Sequence, residues 1–360
     1  MQILYKTNAK GSTQEFRITV EDNTYTVEWG KVDGKFQSKT TECFSKNVGK
    51  KNETTPEQQA LAEAQAVHAK KLKSGYSTDR DSTPTVLLPM KVNEYVKHKN
   101  KVVFPCYTSV KLDGINGEYR LVDGELKLLS RGGEEYCIPE HHRAEVLELL
   151  EVLGTNSING ELYIHGEYLQ DISSAVKKPN ELTKQLKFYV FDFPEVEGGY
   201  ATRCKAMYDL SAKADTPNVP LVMVGAAYDE DDIEMQFNQA IVAGYEGLIV
   251  RNSKGLYKYN TRSLDVFKFK KAMDEEFKVV GFKLDKNKHA VYELITGQGA
   301  TFSCKRKGST EDRLKDAVEA PNNIGKYLKV EFERYSKDNI PLKPVGLMFR
   351  AVDSKGEAVE

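Results

Sequence analysis

The N-terminal part of the chain alternates between apolar and polar residues with the two-residue period of β-strands. The alternation is clearest at residues 16–20 (FRITV) and 25–29 (YTVEW), and an Asp-Gly pair at positions 33 and 34 follows. Asp-Gly between two strand-like stretches is a strong signal for a hairpin turn. The pattern therefore predicts a small antiparallel sheet.

A helix is predicted to follow this sheet. Thr55 is suited to the N-cap and Pro56 to the first helical position. Apolar residues then recur at helical spacing at Ala60, Leu61, Ala64 and Val67. Gly75 marks the expected end of the helix. The polar, turn-rich residues 77–84 (STDRDSTP) are predicted to form a linker.

Strands and helices alternate from residue 85 to residue 272. Residues 187–191 (KFYVF) and 247–250 (GLIV) are apolar runs typical of buried strands, and residues 140–153 have helical periodicity. Short strands with glycine-bearing turns dominate the rest of the chain, which is the pattern of a small β-barrel. The predicted fold class is α+β and multidomain, with domains at 1–78, 85–272 and 273–360.

Composition excludes several classes of protein. The 360 residues are 40% hydrophobic and 29% charged, as in ordinary globular proteins. No apolar run approaches the ~20 residues of a membrane span, and the N-terminus lacks the pattern of a signal peptide. The five cysteines are scattered, which argues against a zinc ribbon or a disulfide framework. We therefore expect a cytoplasmic protein with no membrane partner, in a bacterial or phage-infected cell.

Charge is distributed unevenly along the chain. The net charge of −1 does not by itself indicate a nucleic-acid-binding protein. Between residues 244 and 307, however, Lys and Arg outnumber Asp and Glu two to one. This region contains Lys268, Lys270 and Lys271 on one predicted strand, and Lys305 and Arg306 in one predicted loop. Such local clusters of positive charge favour binding to the phosphates of DNA.

Six short motifs occur in a fixed order in the middle of the chain. They are residues 111–116 (KLDGIN), 130–133 (SRGG), 159–162 (NGEL), 188–192 (FYVFD), 246–251 (EGLIVR) and 268–270 (KFK). The ordered series is much harder to obtain by chance than any one motif. It resembles the covalent nucleotidyltransferase superfamily, most closely the ATP-dependent DNA ligases of the small phage type. The resemblance implies an ATP-grasp-like α+β core followed by an oligonucleotide-binding (OB) barrel.

The resemblance also implies that Lys111 attacks the α-phosphorus of ATP and becomes a lysyl-adenylate. A free lysine has a pKa of about 10.4, and lowering it by about 3 corresponds to roughly 4 kcal/mol of differential interaction. We expect Lys268 and Lys270 to create the electropositive neighbourhood that does so. Because they alternate with phenylalanines, both lysines should lie on one face of a strand. There they would also stabilise charge on the α-phosphate and the leaving pyrophosphate.

Four other residues receive roles from the resemblance. Arg131 is expected to bind the nucleotide and the 5′-phosphate of a nick, since a guanidinium suits bidentate phosphate binding. Glu161 is expected to accept hydrogen bonds from the ribose and, with Glu246, to hold Mg²⁺. One or two carboxylates suffice for that ion. Phe191 is expected to stack on the adenine of ATP.

The N-terminal part resembles a second family. Strands around residues 29–31 (WGK) followed by one helix are similar to the WGR domain, a family that binds DNA ends. The expected DNA-binding residues are therefore Trp29, Arg131, Lys305 and Arg306. Together the two resemblances imply that the partner is nicked double-stranded DNA, bound by a monomeric protein.

Departures from the ligase pattern leave alternatives open. Asn116 stands where the family usually has arginine, and asparagine is more familiar there in RNA-joining relatives, so an RNA ligase is one alternative. Asn159 replaces a usual aspartate. The Arg/Asp/Lys motif of the terminal barrel has its nearest match in Arg350, Asp353 and Lys355. A capping guanylyltransferase and a non-catalytic DNA-end binder are further alternatives. An NAD-dependent ligase is disfavoured, because we see neither its nicotinamide-binding domain nor its four-cysteine zinc module.

Overall fold

The computed structural model describes residues 1–7, 12–80, 87–270, 272–285 and 287–350. Three packed regions follow one another along the chain: an N-terminal sheet with one helix, a central α+β core, and a C-terminal barrel. Among the described residues, no helix is both long enough and apolar enough to cross a bilayer.

The N-terminal region is an antiparallel sheet whose strands pair in chain order. Its elements are β1 (Leu4–Thr7), β2 (Thr13–Glu21), β3 (Thr24–Lys31), β4 (Phe36–Glu42) and α1 (Pro56–Lys73). Phe16 and Ile18 of β2 are buried in one cluster with Ala60 and Ala64 of α1, because small side chains let the helix approach the sheet. Thr55 caps α1 in a capping box, which confirms the predicted helix start.

The central core contains two five-stranded sheets. Its strands are β5 (Lys91–Glu94), β6 (Cys106–Lys111), β7 (Ile115–Val122), β8 (Glu125–Ser130), β9 (Glu135–Tyr136), β10 (Ser157–Tyr163), β11 (Lys187–Asp192), β12 (Val224–Ala227), β13 (Gly247–Asn252) and β14 (Arg262–Lys270). The first sheet has the order β11-β10-β7-β8-β9, and the second has the order β12-β6-β13-β14-β5.

Helices cover the two sheets of the core. They are α2 (Tyr95–His98), α3 (Glu140–Leu153), α4 (Leu169–Lys177), α5 (Tyr200–Ser211) and α6 (Glu230–Val242). The predicted helix at residues 140–153 is confirmed at both ends, and Gly154 terminates it in the left-handed conformation. The predicted buried strand is also confirmed, since Phe188 and Val190 of β11 are fully buried.

The C-terminal region is a closed barrel of strand order β15-β16-β17-β19-β18. Its elements are β15 (Met273–Leu284), β16 (Ala290–Ile295), β17 (Thr301–Arg306), α7 (Thr310–Glu319), β18 (Tyr327–Phe332) and β19 (Val345–Arg350). Phe277, Tyr292 and Leu328 are buried inside it. A small closed five-stranded barrel is the architecture that the short, evenly spaced strands predicted.

Candidate active site

Lys111 lies at the end of β6. Strand β13 separates it from β14, which carries Lys268 and Lys270. Gly247 of β13 pairs with Lys111 on one side and with Lys270 of β14 on the other. Ile249 pairs in the same way with Lys268. Because residues at paired positions share a face of a sheet, the three lysines are directed to the same side of the core.

Gly247 permits this close approach of the strands. Its φ is +153°, and a Cβ here would lie 2.0 Å from the carbonyl oxygen of Phe269. Only glycine fits this position. The preceding backbone N–H, that of Glu246, donates to the carbonyl of Lys111 at 3.1 Å. Glu246 is thereby fixed beside Lys111.

The Glu246 carboxylate contacts the ammonium groups of both Lys111 and Lys270. The side chains of Lys111, Glu246 and Lys270 are 19%, 14% and 20% exposed. Their charges are therefore partly shielded from water and interact more strongly than surface charges do. The sequence predicted that cations would surround Lys111, whereas the group in direct contact with its amine is a carboxylate.

The two lysines of β14 differ in their electrostatics. Burial opposes the charged form of Lys270, but the neighbouring carboxylates of Glu246 and Glu333 outweigh it and raise its pKa. Burial and the charge of Lys270 lower the pKa of Lys268. Lys268 is therefore the more readily deprotonated of the pair.

A cavity lies between the two sheets of the core. Its lining includes the apolar side chains of Val92, Phe191, Ile249 and Val266. The charged side chains of Lys111, Arg131 and Glu161 also line it. A ligand with an apolar ring and an anionic group matches this lining.

Glu161 lies on β10 and faces the cavity. Burial raises the pKa of its carboxyl to about 7, although the charges of Lys111 and Arg131 act in the opposite direction. Asn116 is its partner on β7, and the Asn116 amide donates to the carbonyl of Gly160 at 3.3 Å. The side-chain oxygen of Asn116 is buried and has no protein partner among the described residues.

Arg131 lies in a tight turn after β8. The Ser130 hydroxyl accepts hydrogen bonds from the N–H groups of Gly132 (3.2 Å) and Glu134 (2.9 Å), and Gly133 has a φ of +82°. The turn leaves the Arg131 side chain exposed at the mouth of the cavity. Lys111 and Arg131 also line a second, more open depression that continues toward the barrel.

The barrel contributes charged groups to this depression. Arg334 contacts the carboxylate of Asp113, two residues beyond Lys111. Glu333 accepts from Lys270 at 3.4 Å and from Lys343 at 2.7 Å. The described structure therefore has the barrel closed against the core, with its charges beside the lysine cluster.

The chain matches a family model described as the ATP dependent DNA ligase domain over residues 89–270, about half of its length. A DNA ligase of African swine fever virus is 30% identical over 347 residues, which cover 87% of this chain and 80% of that protein. The chain belongs to the ATP-dependent DNA ligase family. The DNA ligase of Haemophilus influenzae is 25% identical over 209 residues, or 58% of this chain and 71% of that protein.

Solved structures share the fold of this ligase. A Lig E DNA ligase superimposes with a TM-score of 0.61 at 21% identity, covering 74% of this chain and all of that chain. The structure called Pmar-Lig_PreS3 superimposes with a TM-score of 0.65 at 16% identity, covering 82% of this chain and 73% of that chain. The mixed α+β fold of a ligase core is therefore confirmed.

The expected DNA-binding residues of this ligase lie in three separate places. Trp29 of β3 is half-buried against the core of the N-terminal region. Lys305 contacts Asp285, and Arg306 donates to Asp316 at 2.7 Å. Both barrel cations already have an acidic partner, so their DNA-binding role stays a prediction.

Several residues near the ligase site were not identified from the sequence. Arg251 belongs to the motif at residues 246–251, but the sequence assigns it no role. Its buried guanidinium lies 5.5 Å from the ring centre of Phe191 and donates to the Ser109 hydroxyl at 3.3 Å. Arg251 thus holds the predicted stacking residue in place. Arg251 lies two residues after Ile249 on the same strand, so the sequence alone indicates that both side chains lie on the same face of the sheet.

The barrel residues Glu333, Arg334 and Lys343 were also missed. Arg350, the nearest match to the arginine of the terminal-barrel motif, donates to Glu276 at 2.6 Å within the barrel. Residues 351–360, with Asp353 and Lys355, lie outside the described residues, as does Lys271. No sequence signal short of an alignment distinguishes Lys343 from other surface lysines.

The carboxylates present suit a magnesium ion. Glu161 and Glu246 are close enough for the charge of one to raise the pKa of the other. The described residues contain no group of three or more His, Cys, Asp or Glu side chains arranged to hold a metal ion. Mg²⁺ needs only one or two carboxylates when phosphates and waters complete its ligands. The donor set therefore fits this ion beside a nucleotide.

Proposed function

We propose that this ligase seals nicks in duplex DNA by carrying AMP on the amine of Lys111. The observation that carries the proposal is the convergence of Lys111, Glu246 and Lys270 beside a cavity lined by Phe191. The apolar part of the cavity fits an adenine, and the lysine cluster fits the phosphates of ATP.

In the first step the neutral Lys111 amine attacks the α-phosphorus. A nitrogen–phosphorus bond forms, and the bond from the α-phosphorus to the bridging oxygen breaks. Pyrophosphate leaves with the electron pair, and the attacking nitrogen loses one proton to the solvent. Lys268 and Lys270 stabilise the negative charge that builds on the phosphates. Glu161 and Glu246 would hold a magnesium ion, which would supply positive charge to neutralise the phosphates. The Glu246 carboxylate would then contact the ion instead of the Lys111 ammonium.

The second and third steps use the DNA. The 5′-phosphate of the nick attacks the lysine-bound phosphorus, so the nitrogen–phosphorus bond breaks and AMP moves to the DNA. The 3′-hydroxyl then attacks the 5′-phosphorus and releases AMP. We assign to Arg131, exposed beside Lys111, the binding of the 5′-phosphate.

Intact-mass and peptide mass spectrometry test this function. After incubation with ATP and Mg²⁺, an AMP-sized increment is expected on the peptide that contains Lys111. Lys111→Arg is the matched control, because it keeps a cation beside Glu246 but is not a nucleophile at neutral pH. An adduct on another lysine, or an adduct that persists in the variant, contradicts the assignment.

Parallel substrates separate the alternatives. GTP in place of ATP tests for a capping-type enzyme, and nicks with a DNA or an RNA 3′-hydroxyl strand test for RNA ligation. Asn116, which favoured the RNA alternative, lies beside Glu161 rather than in the lysine cluster. We expect joining of the DNA strand with ATP, and exclusive joining of RNA 3′ ends would overturn the proposal.

We also propose that residues 1–78 form a WGR-like DNA-binding domain, residues 85–272 the adenylation domain and residues 273–360 an OB-fold domain. A four-stranded sheet with one helix at the N-terminus and a separate buried cluster in each region support this division. Removal of residues 1–78 should weaken nicked-DNA binding and leave adenylation intact. A truncated protein that folds but no longer reacts with ATP would refute the boundary.

The remaining proposals concern the state of the ligase in the cell. We propose a cytoplasmic monomer that contacts the DNA largely through phosphates. Sedimentation with and without nicked duplex tests the stoichiometry, and two copies per nick would contradict it.

A further inference from the structure

Lys6 lies within electrostatic range of two lysines from other elements, Lys71 and Lys91. Lys6 belongs to β1, Lys71 to the last turn of α1, and Lys91 to β5. Burial and the charge of Lys91 lower the pKa of Lys6, and burial and the charge of Lys6 lower the pKa of Lys71. Like charges are therefore held within electrostatic range of one another, and we call these three residues the junction cluster.

None of the three ammonium groups has an ion-pair partner within the described ranges. Lys73, two residues beyond Lys71, shows the contrast because it contacts the carboxylate of Glu134. A lysine ammonium has three donors. Lys6 uses one of them, to the carbonyl of Ser74 at 2.5 Å. The cluster thus keeps positive charge and hydrogen-bond donors available for a ligand.

Aromatic rings hold two of the lysines in position. The Lys71 nitrogen lies 4.4 Å from the ring centre of Phe16 and 4.8 Å from that of Tyr76. The Lys6 nitrogen lies 5.8 Å from the ring centre of Tyr76. Cation–π contacts order a side chain without neutralising its charge. The cluster is therefore more ordered than a group of free surface lysines.

The helix that carries Lys71 ends beside the turn that carries Arg131. The contact between Lys73 and Glu134 joins the end of α1 to the turn that carries Arg131. A strand of DNA whose 5′-phosphate reaches Arg131 would therefore have further phosphates near the end of α1.

We propose that Lys6, Lys71 and Lys91 bind the phosphate backbone of the duplex on the side of the nick adjoining Arg131. The inference rests on the proposed function, since it takes nicked DNA as the partner. A polyanion relieves the repulsion among the three ammonium groups and releases counterions from the DNA. Because phosphates carry no sequence information, this contact is independent of DNA sequence.

The salt dependence of binding tests the inference. Each phosphate contact contributes about 0.9 to the slope of log K against log salt concentration, so replacing all three lysines with methionine should reduce the slope by about 2.7. Methionine preserves much of the apolar stem that packs on the rings. Replacing all three with arginine should retain the slope. The full-length protein and a nicked duplex are used throughout.

Lys205→Met is the matched control, because Lys205 pairs with Asp209 on the surface of α5 and should leave the slope unchanged. If the triple methionine variant folds and keeps the wild-type slope, the cluster does not bind DNA. If that variant fails to fold, Lys91→Met decides, since Lys91 is exposed: a slope reduced by about 0.9 supports the proposal, and an unchanged slope overturns it.

Failure of the junction cluster and failure of the proposed function would give different experimental results. Adenylation of Lys111 needs no DNA, and it should proceed at the wild-type rate in the triple variant. If the wild-type protein binds no nicked DNA at all, the proposed function fails. If it binds and seals nicks with a slope that the lysines do not influence, only the junction cluster is refuted.

Discussion

Two charged regions of the core adjoin the same cavity but differ in how their hydrogen bonds are satisfied. Arg203 is 1% exposed and donates to Asp192 at 2.5 Å and to the carbonyls of Gly198 (2.9 Å) and Gly255 (3.2 Å). Its guanidinium is held by protein acceptors on several sides. Such a pair is costly to break and has little left to offer a ligand.

The cluster of Lys111, Glu246 and Lys270 is different. One carboxylate serves two ammonium groups, and all three side chains line a depression open to solvent. Each ammonium has donors to spare, so phosphates can bind without breaking every protein contact. Unsatisfied hydrogen-bonding capacity therefore distinguishes the charges that we propose to be reactive from the structural ones, whereas charge alone does not.

The largest expected effect is on stability and comes from the saturated pair. Arg203→Met leaves Asp192 buried without its partner, which should lower the free energy of unfolding by about 3–5 kcal/mol. Chemical denaturation measures the loss. The double variant Arg203→Met/Asp192→Asn should recover part of it, because no buried charge is then left unpaired. If Arg203→Met is as stable as the wild type, the Arg203–Asp192 pair is not the structural element that we infer.

The next effect is on catalysis and comes from the open cluster. Lys270→Gln should slow adenylation by about 10²–10³-fold, or ~3–4 kcal/mol, because a charge that stabilises the phosphates is lost. The loss of stability should be smaller than in Arg203→Met, because Glu246 keeps its contact with Lys111. Single-turnover labelling with ATP gives the rate. If Lys270→Gln unfolds the protein but the folded fraction is adenylated at the wild-type rate, the role of Lys270 is structural and not catalytic.

Glu161 should show a pH-dependent effect on stability. Its pKa of about 7 in the folded protein exceeds the value of 4.5 for an ordinary glutamate, so the folded state binds its proton more tightly. Above pH ~7 the buried charge destabilises the fold, and Glu161→Gln should then stabilise it by on the order of 1–3 kcal/mol. The gain should shrink as the pH falls and vanish below pH ~4.5.

Thermal unfolding at several pH values measures this difference. The same variant should bind ATP more weakly, since it cannot supply a carboxylate. A stabilisation that is equal at pH ~5 and pH ~8 would show that ionisation is not its cause.

The smallest effect concerns the contact between barrel and core. Arg334→Ala removes the ion pair with Asp113, whose side chains are 32% and 18% exposed, and should cost at most about 1 kcal/mol of stability. Adenylation should slow by a few-fold, because the barrel is held less firmly beside the lysine cluster. Lys337→Ala is the control, since its pair with Asp171 is more exposed. Equal rates for both variants would indicate that the Arg334 contact does not support catalysis.

The sequence alone predicted several local elements and four of the residues that line the cavity, but it placed Lys305 and Arg306 in a loop, whereas they lie at the end of β17. Alternation placed Lys268 and Lys270 on one face of a strand, and the N-cap at Thr55 and the helix at residues 140–153 were correct because they depend on neighbouring residues. The ordered motifs indicated Lys111, Phe191 and the two glutamates, because each of these residues lies in a short motif that resembles a ligase motif.

Only the tertiary structure decided which charges meet. Lys111 and Glu246 are 135 residues apart, and Lys73 and Glu134 are 61 apart, so no local pattern relates them. The same holds for Arg334 and Asp113, which join the barrel to the core. Ion-pair partners, burial and the pKa of Glu161 depend on how sheets pack against each other. Periodicity specifies the face on which a side chain lies, but the fold specifies what that face meets.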